Sequence, residues 1–424
     1  MRIVHVNTSH QYGGAARAAC RLHSGLRKAG VDSMMFVQEK ESQDADVYST
    51  GTKVGKLWAR IRPYIDRLPA HLFRHAVGQN FSPAVVPGQA LSRINSMHPD
   101  VVHLHWIAQG FIRIEALKRL RATPIVWTLH DSWAFTGGCH LPSTCTAYTR
   151  RCGKCPILGS GSEYDLSRWV WGRKARIFDS LDLTVVTPSR WLGECAKRSS
   201  LFNGTRVEVI PNGLNIDAYK PLNQDFCRDV LSLPKDKKVV MFGAISSTSD
   251  KNKGFDYLVG ALRRIAATPY KGEVVAVVLG ADAADGNLDI GIDIRFLGHL
   301  HDDASLAVAY SSADVFVAPS IQENLSNTVM ESMACGIPCV TFDIGGMPDM
   351  IDHKRTGYRA RPYEEADLAD GILWVISDPE RRRELSEASR KKIEEGFSDS
   401  HAAQRYSSLY RELTSRTPGQ IPGS

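Results

Sequence analysis

The sequence predicts an α/β protein with two doubly wound, Rossmann-like domains that face a cleft. Three observations lead to this fold class. The chain has 424 residues, more than one hydrophobic core normally serves. Short, continuously apolar runs alternate with helical patterns, which is typical of strands buried on both faces of a parallel sheet. These runs form two successive series, which predicts two sheets.

Each series supplies the strands of one predicted sheet. The first series comprises residues 3–7, 33–37, 101–106, 125–129, 183–187 and 207–210. The second comprises residues 239–242, 274–279, 292–297, 315–318 and 339–342. Ligands of such sheets bind beyond the carboxyl ends of the strands, so we expect the functional residues in the loops that follow these runs.

The turn Pro211-Asn212-Gly213 marks the predicted domain boundary, because a strand ends there in turn-forming residues. We expect the N-terminal domain over residues 1–212 and the C-terminal domain over residues 213–397. The charged helix at about residues 398–416 is a candidate to pack back on the N-terminal domain.

Charge and composition exclude several classes of protein. The formal net charge of +6 is too small for this length to predict nucleic-acid binding. A content of 43% hydrophobic and 23% charged residues is that of a globular protein, not of a disordered chain. The first residues resemble a strand rather than a secretory signal, and no run of about eighteen apolar residues occurs. A cytoplasmic location with mostly reduced cysteines is therefore expected.

A glycine-rich turn, Tyr12-Gly13-Gly14-Ala15-Ala16, follows the first predicted strand and leads into a helical pattern. Glycines at such a turn let backbone amides approach a phosphate or a sugar, and the helix N-terminus adds positive potential. The spacing is not G-x-G-x-x-G, and no acidic ribose partner follows at the usual distance, so a plain tight turn is the alternative.

The segment 320–338 contains two glutamates around a predicted helix. Ser326 is the N-cap candidate, while Gly336 and Pro338 end the helix after about ten residues. Glu323 precedes the helix and Glu331 lies on its second turn, which separates the carboxylates by roughly 10 Å. Such a pair suits two sets of hydroxyls on an elongated ligand with phosphates at the helix N-terminus. Two solvated surface acids are the alternative.

The block from Gly298 to Pro348 resembles the donor-binding half of a retaining glycosyltransferase of the GT-B group, family 4. The E-x7-E spacing, the segment 334–338 that follows it, and Lys253-Gly254-Phe255-Asp256-Tyr257-Leu258 carry the resemblance. Further matching segments are 188–191 and 210–213, and the resemblance covers nearly the full chain. The segments 102–106 and 128–133 resemble the subset that builds bacterial exopolysaccharides such as colanic acid.

The resemblance implies a role for each matched residue. Glu323 would hold hydroxyls of the donor sugar and Glu331 the ribose diol. Lys253 would neutralise the leaving diphosphate, and His130 would lie near the transferred sugar and the acceptor. The backbone of Asn324, Leu325 and Ser326 would bind the phosphate and sugar, with Gly13 and Gly14 below the diphosphate. The donor would be a UDP- or GDP-linked sugar, and the acceptor a saccharide, such as one carried on a polyprenyl diphosphate.

A preorganised lysine and helix amides can stabilise a leaving diphosphate without a metal, so no catalytic metal is expected. Asp44-Ala45-Asp46 resembles a metal-binding D-x-D only superficially. One departure from the family is the arginine expected after Gly243, which is replaced by Ala244 and an insertion that runs to Lys253. Lys251 or a residue of the other domain is the candidate to replace this phosphate-binding cation. The alternatives are a nucleotide-sugar 2-epimerase, which needs no acceptor, and a non-catalytic scaffold that binds sugar nucleotides.

Four of the nine cysteines fall in one segment: Cys139, Cys145, Cys152 and Cys155. The last two have the C-x2-C spacing of zinc ligands, and the other two thiols would complete a closed structural site. Disulfides and free thiols are the alternatives. The remaining cysteines are scattered and are expected in the core.

The basic residues Lys53, Lys56, Arg60, Arg62, Arg67 and Arg74 lie between residues 51 and 80 with Asp66 as the single acid. Large apolar residues interleave with them at three- and four-residue steps, broken by Pro63 and Pro69. This pattern predicts a pair of interfacial helices on an anionic membrane, with a solvated basic face as the alternative. A second basic and aromatic run, residues 168–176, favours peripheral attachment to the membrane.

Overall fold

The structure is a computed structural model that describes residues 1–50, 53–73, 81–243, 248, 250–281 and 290–416; the side chains of residues 53 and 54 lie outside the description. Two compact units form. Unit 1 contains Met1–Gly213 together with Ala402–Ser424, and unit 2 contains Leu214–His401.

Unit 1 is built on a seven-stranded parallel sheet with the order β3-β2-β1-β4-β5-β6-β7. Its strands are β1 (Arg2–Ser9), β2 (Asp32–Glu39), β3 (Val47–Tyr48), β4 (Val101–Leu104), β5 (Ile125–Thr128), β6 (Leu183–Thr187) and β7 (Arg206–Val209). The strand order reverses direction between β1 and β4. In doubly wound folds such a switch point opens a crevice at the carboxyl edge of the sheet, where ligands bind.

Helices cover both faces of this sheet. They are α1 (Gly14–Lys28), α2 (Lys53–His71), α3 (Ala90–Asn95), α4 (Leu166–Phe178) and α5 (Arg190–Arg198), joined later in the chain by α13 (Asp399–Ser415). Tyr406, Leu409, Tyr410 and Leu413 of α13 are buried in one cluster with residues of β1, β4, β5 and β6. The C-terminal helix therefore forms part of the core of unit 1.

Unit 2 is built on a six-stranded parallel sheet with the order β10-β9-β8-β11-β12-β13. Its strands are β8 (Lys238–Gly243), β9 (Val274–Leu279), β10 (Asp293–Phe296), β11 (Val315–Ala318), β12 (Cys339–Phe342) and β13 (Gly357–Ala360). Its helices are α6 (Gln224–Val230), α7 (Phe255–Ala266), α8 (Asp303–Ser311), α9 (Asn327–Ala334), α10 (Met347–Met350), α11 (Glu365–Ile376) and α12 (Pro379–Gly396). The switch point lies between β8 and β11. The predicted fold class, two Rossmann-like α/β domains, is confirmed.

Helix α2 corrects the prediction of two helices broken by prolines, because it is one helix with Pro63 and Pro69 inside it. The face of α2 that packs against the rest of unit 1 carries charged as well as apolar side chains. Arg62 is buried and donates to the carbonyl oxygen of Pro87 over 3.1 Å. Asp66 is fully buried and accepts hydrogen bonds from the amides of Ala84 and Val85. Arg62 is therefore not part of an exposed basic face.

The second basic and aromatic run lies on α4, and two of its four cations are buried in unit 1. Arg173 is buried, pairs with Glu115 over 2.6 Å and stacks over the ring of Trp169. Lys174 is fully buried. The prediction that this run supports a membrane surface is wrong for these two cations, because neither can reach a lipid headgroup.

Candidate functional site

At the carboxyl edge of the sheet in unit 2, a short 3-10 turn, Lys251–Lys253, lies beside the loop that follows β11. The Nζ atom of Lys253 donates a hydrogen bond to Oε2 of Glu323 over 2.8 Å. The two side chains are only 27% and 17% exposed, so the pair is shielded from water while remaining accessible. The Glu323 carboxylate raises the pKa of Lys253, which keeps the lysine charged at neutral pH.

Backbone contacts hold this pair in place. Asn252 donates through its side chain to the carbonyl oxygen of Gln322 over 2.8 Å and accepts the amide of the same residue over 3.1 Å. Gly254 has a φ of 73°, and a Cβ there would lie 1.9 Å from the carbonyl oxygen of Pro319. A Cβ at Gly345 would lie 2.0 Å from the carbonyl oxygen of Glu323. Only glycine therefore permits the close approach that sets these loops.

The predicted helix after the first glutamate is α9, which is two residues shorter than the expected length of about ten. Ser326 is its N-cap and accepts a hydrogen bond from the amide of Val329, as predicted. The side chain of Leu325 is buried in the core of unit 2, so it does not face the solvent side of this loop. The N-terminus of α9 directs amide groups toward this loop.

Glu331 is placed differently from Glu323. Its side chain is fully buried and accepts a hydrogen bond from the hydroxyl group of Tyr310 over 2.9 Å. Neither glutamate is thus a solvated surface acid. A contact between Glu331 and a ribose requires the packing over this carboxylate to open. The segment that begins at Ala244, where the family arginine is missing, lies outside the described residues, which resume at Thr248 and Asp250.

In unit 1, the glycine-rich turn follows β1 as predicted. Gly13 has a φ of 93° and is the N-cap of α1, which begins at Gly14. A Cβ at Gly13 would meet no atom within 4 Å, so the turn borders open space. The first turn of α1 carries no acidic side chain. An anion could therefore approach these amides without repulsion from α1 itself.

His130 follows β5 and is hydrogen-bonded through Nε2 to Nδ1 of His105 over 3.1 Å. Burial lowers the pKa of His130 to about 4, so its ring is neutral at physiological pH. The next residue, Asp131, accepts hydrogen bonds from Trp106 and His140, each over 2.6 Å. Burial alone would raise the pKa of Asp131, but the electrostatic interaction with His140 and these hydrogen bonds outweigh it and lower that pKa.

Sequence reasoning missed the histidine group behind His130. His5 on β1 and His103 on β4 are register partners in adjacent strands, and His105 follows β4. Within the described part of the chain, only His5, His103 and His105 bring three possible ligand atoms within 4.8 Å of one another. The spacing in the sequence could have indicated this group. Residues two apart on a strand share one face, so His103 and His105 in Val102-His103-Leu104-His105 are expected to lie side by side.

The four clustered cysteines line one small cavity of about 20 Å³ in unit 1. All four are free thiols. No three of their sulfur atoms lie within 4.8 Å of one another, in contrast to the ring nitrogens of the histidine group. Burial raises the pKa of the Cys155 thiol and raises that of Cys152 to about 12.

Comparison with known families identifies the class of protein. Residues 236–378, within unit 2, match a model described as glycosyl transferases group 1. Residues 12–218, which span most of unit 1, match a model described as glycosyltransferase family 4. The chain is therefore a glycosyltransferase of the group 1 and family 4 type, and it is a transferase enzyme.

Two curated relatives come from Mycolicibacterium smegmatis. An alpha-maltose-1-phosphate synthase is 28% identical over 62% of this chain and 70% of its own length. A D-inositol 3-phosphate glycosyltransferase is 25% identical over 89% of this chain and 80% of its own length. Among solved structures, a sucrose-phosphate synthase from Thermosynechococcus elongatus is similar in fold, with a TM-score of 0.69, 20% identity and coverage of 97% and 99% of the two chains. Anabaena HepE in complex with UDP has a TM-score of 0.65 with 17% identity, covering 97% of this chain and 100% of that one.

The buried histidines predict a loss of stability on mild acidification. Burial lowers the pKa of both His23 and His130 to about 4, whereas an unfolded histidine titrates near about 6.5. Between these values the unfolded chain binds protons that the folded chain does not. The free energy of unfolding therefore falls as the pH falls through about 6.5 toward 4, by about 1.4 kcal/mol for each of the two groups at pH about 5.5.

The substitution His23→Gln isolates one of these contributions. Urea unfolding at pH about 8 and about 5.5 should show a drop in stability that is smaller by about 1.4 kcal/mol in the variant than in the wild type. Equal drops in both proteins would show that His23 does not titrate as its burial implies.

Proposed function

We propose that this glycosyltransferase moves a sugar from a nucleoside-diphosphate donor to a saccharide acceptor with retention of the anomeric configuration. The observation that carries the proposal is the Lys253–Glu323 pair at the carboxyl edge of unit 2. The charged lysine and the partly exposed carboxylate are in contact there, and the loop that carries the carboxylate leads into the N-terminus of α9. These groups match the two ends of a sugar diphosphate: anionic phosphates and sugar hydroxyls.

For this transfer the protein has to stabilise the charge on the leaving diphosphate, and it does not have to supply a nucleophile. As the bond between the anomeric carbon and the phosphate oxygen breaks, negative charge builds up on the diphosphate. The acceptor hydroxyl forms its bond to the same face of the sugar and transfers its proton to the departing phosphate oxygen. We propose that Lys253 leaves Glu323 to contact the diphosphate, which frees the Glu323 carboxylate to accept hydrogen bonds from the donor sugar.

The remaining site residues take supporting roles in this proposal. The backbone of Asn324, Leu325 and Ser326 contacts the phosphate and sugar, and Glu331 contacts the ribose diol once its packing opens. From unit 1, Gly13 and Gly14 offer amides to the diphosphate. His130 serves the transferred sugar and the acceptor as a neutral hydrogen-bonding group. The names of the curated relatives favour a phosphorylated small-molecule acceptor as the second candidate.

We propose that the acceptor is lipid-linked and that α2 attaches the enzyme to an anionic membrane, as in assembly of exopolysaccharides of the colanic-acid type. Six large apolar residues of this helix are exposed: Leu57, Trp58, Ile61, Tyr64, Leu68 and Leu72. At about 100° per residue, all of them except Trp58 fall within one arc of about 80°. The exposed Lys56 and Arg60 line one edge of this arc, where they would meet lipid phosphates.

The membrane contact is peripheral in this proposal. Searched over its described residues, the structure contains no helix that is both long and apolar enough to cross a bilayer. The apolar face of α2 lies opposite Ala59, Arg62, Asp66 and Ala70, which pack against unit 1. The helix thus keeps one face in the protein and presents the other outward, as an interfacial helix does.

Transfer should depend on both members of the ion pair. With a panel of UDP- and GDP-sugars, Glu323→Gln and Lys253→Met should each lower kcat/KM by at least about a hundredfold, because each removes a charge-assisted contact made in the transition state. Proton NMR of the product measures turnover and should show the donor's anomeric configuration kept.

The matched control is Lys271→Met, which removes an exposed lysine from another 3-10 turn of unit 2, Pro269–Gly272. This variant should keep activity within about threefold. Undiminished turnover in Glu323→Gln, or an inverted product, would contradict the proposal. An isomerised donor without acceptor would identify a 2-epimerase instead.

Membrane attachment should depend on the apolar face of α2. The triple variant Leu57→Ser, Leu68→Ser, Leu72→Ser should sediment with phosphatidylglycerol vesicles at least about tenfold less than the wild type, because apolar burial in the bilayer is lost. The side chains are exposed, so the fold should be unaffected. Phe226→Ser, which removes an exposed apolar residue of unit 2, is the control. Equal sedimentation of triple variant and wild type would contradict the attachment.

A further inference from the structure

The cysteine cavity in unit 1 has the features of a metal site. Its volume of about 20 Å³ is enough for about one water-sized sphere, and all four clustered cysteines line it. We propose that Cys139, Cys145, Cys152 and Cys155 bind one structural zinc ion. Each thiol gives up its proton and becomes a thiolate ligand, the four sulfurs close inward across the cavity, and no position remains open for catalysis.

The loop that carries the last two cysteines is built as a tight turn around the cavity. Cys152, Gly153 and Lys154 all have positive φ values, of 35°, 119° and 48°. Surrounding groups hold this unusual backbone: Ser167 accepts the amide of Gly153 over 3.0 Å, and Asp165 accepts the amide of Cys155 over 2.8 Å. Strain of this kind persists where the surrounding structure enforces it and is common at functional sites.

Hydrogen-bond donors already point at the sulfur atoms. The amide of Gly137 donates to Sγ of Cys152 over 3.2 Å. The backbone amides of Ile157 and Leu158 act on Cys155 in the same sense, since they lower the pKa of its thiol against the effect of burial. Such amide groups stabilise a thiolate more than a thiol, because hydrogen bonds to a charged acceptor are stronger.

Lys174 supplies a counter-charge. It is fully buried, and its ammonium group donates to the carbonyl oxygens of Trp133 and Thr136. It also interacts electrostatically with Cys139 and Cys152. A buried cation is costly unless an anion lies near it. A zinc ion with four thiolates carries net negative charge, which explains the presence of a buried lysine beside four cysteines.

Metal analysis of the full chain tests this site. Protein purified in reducing buffer without chelator should contain about one zinc ion per chain, and replacement by Co²⁺ should give the visible bands of a tetrahedral thiolate complex. Cys152→Ser and Cys155→Ser should lose the metal, whereas the control Cys20→Ser should retain it.

A measurement on the wild type covers the case in which these variants do not fold. Modification of the thiols by an organomercurial should release one zinc ion per chain to a colorimetric chelator. Absence of zinc after incubation with zinc chloride, or disulfides among the four cysteines, would overturn the proposal. Neither outcome depends on the transferase activity.

A second, independent observation concerns the histidines of unit 1. His5 Nδ1 is hydrogen-bonded to His105 Nε2 over 3.0 Å, and His105 Nδ1 to His130 Nε2 over 3.1 Å. Both ring nitrogens of His103 are also occupied, by Tyr410 and Thr128 over 2.6 and 2.7 Å. Five of these six nitrogens in His5, His103 and His105 thus bind protein groups, which a metal ion would have to displace.

The donor and acceptor roles along the series His5–His105–His130 follow from the surroundings of His5. Nε2 of His5 has no hydrogen-bond partner. Burial lowers the pKa of His5, His105 and His130, so each neutral ring carries one proton. Buried N–H groups without a partner are rarer than buried acceptors without one, which places the proton of His5 on Nδ1. His105 then donates from Nδ1 and His130 accepts at Nε2.

We infer that His5 and His105 are positioning residues that hold His130 in the tautomer with its proton on Nδ1, an inference that rests on the role proposed for His130 in sugar transfer. In this tautomer Nδ1 of His130, the ring nitrogen that is not bonded to His105, is a hydrogen-bond donor and not a base. Such a donor suits a hydroxyl or phosphate oxygen of the substrates. The neighbouring strands β1 and β4 thereby extend the site into the core.

Nitrogen NMR of the full chain with ¹⁵N-labelled histidine tests the inference, with His130→Gln used to assign the signal. The wild type should show the Nδ1–H tautomer at His130. His105→Phe should give a mixture of tautomers and lower kcat about tenfold with little change in KM for the donor, because positioning rather than binding is lost. His105→Asn, which restores a donor, should recover part of the activity.

An Nε2–H tautomer at His130 in the wild type, or an unchanged tautomer in His105→Phe, would overturn the inference. A metal ion that His5→Gln removes would overturn it as well. A wild type with the expected tautomer but without transfer to any acceptor would defeat the proposed function and leave the tautomer assignment standing. The two claims can therefore fail separately.

Discussion

The ion pair between Lys253 and Glu323 is the interaction on which the proposed donor site of this enzyme depends. It joins two loops that follow different strands of one sheet, and it keeps a cation and a carboxylate together in a partly buried place. Removing both charges from water is costly, so the pair requires the support of the surrounding backbone. Gly254 and Gly345 provide it, since a side chain at either position would collide with the neighbouring loop.

The topology of the sheets explains why the candidate site residues lie at the carboxyl edges of the strands. In both units the strand order reverses once, between β1 and β4 and between β8 and β11. Loops on either side of a reversal diverge and leave room for a ligand. The glycine turn of unit 1 and the loop with Glu323 in unit 2 both follow strands at these positions. In unit 1 the buried histidines and the helix α13 add a polar network behind the loops.

Much of the fold was predictable because parallel strands buried on both faces give continuous apolar runs, which the sequence displays clearly. The short edge strands were missed: β3 has two residues, and β13 contains Gly357 and Arg359 in a run of four. The helix α2 was predicted as two because prolines usually end helices, yet tertiary packing kept it whole.

The site was less predictable than the fold. Sequence spacing indicated Glu323 and Lys253 but not their contact, since that contact is between residues 70 positions apart. The burial of Glu331, Arg173 and Lys174 depends on neighbours far along the chain and has no local signal. The cysteine cluster was partly predictable. The spacing of the four cysteines in the sequence indicated a cluster, and all four residues line one cavity in the structure.

Calorimetric titration with a nucleoside diphosphate and with the corresponding nucleoside tests directly whether Lys253 is the cation that binds the diphosphate. Lys253→Met should weaken binding of the diphosphate by roughly ten- to a hundredfold, because a charge-assisted hydrogen bond contributes about 1.5–3 kcal/mol, and should leave the affinity for the nucleoside unchanged. Equal diphosphate affinities of variant and wild type would show that Lys253 does not bind the diphosphate.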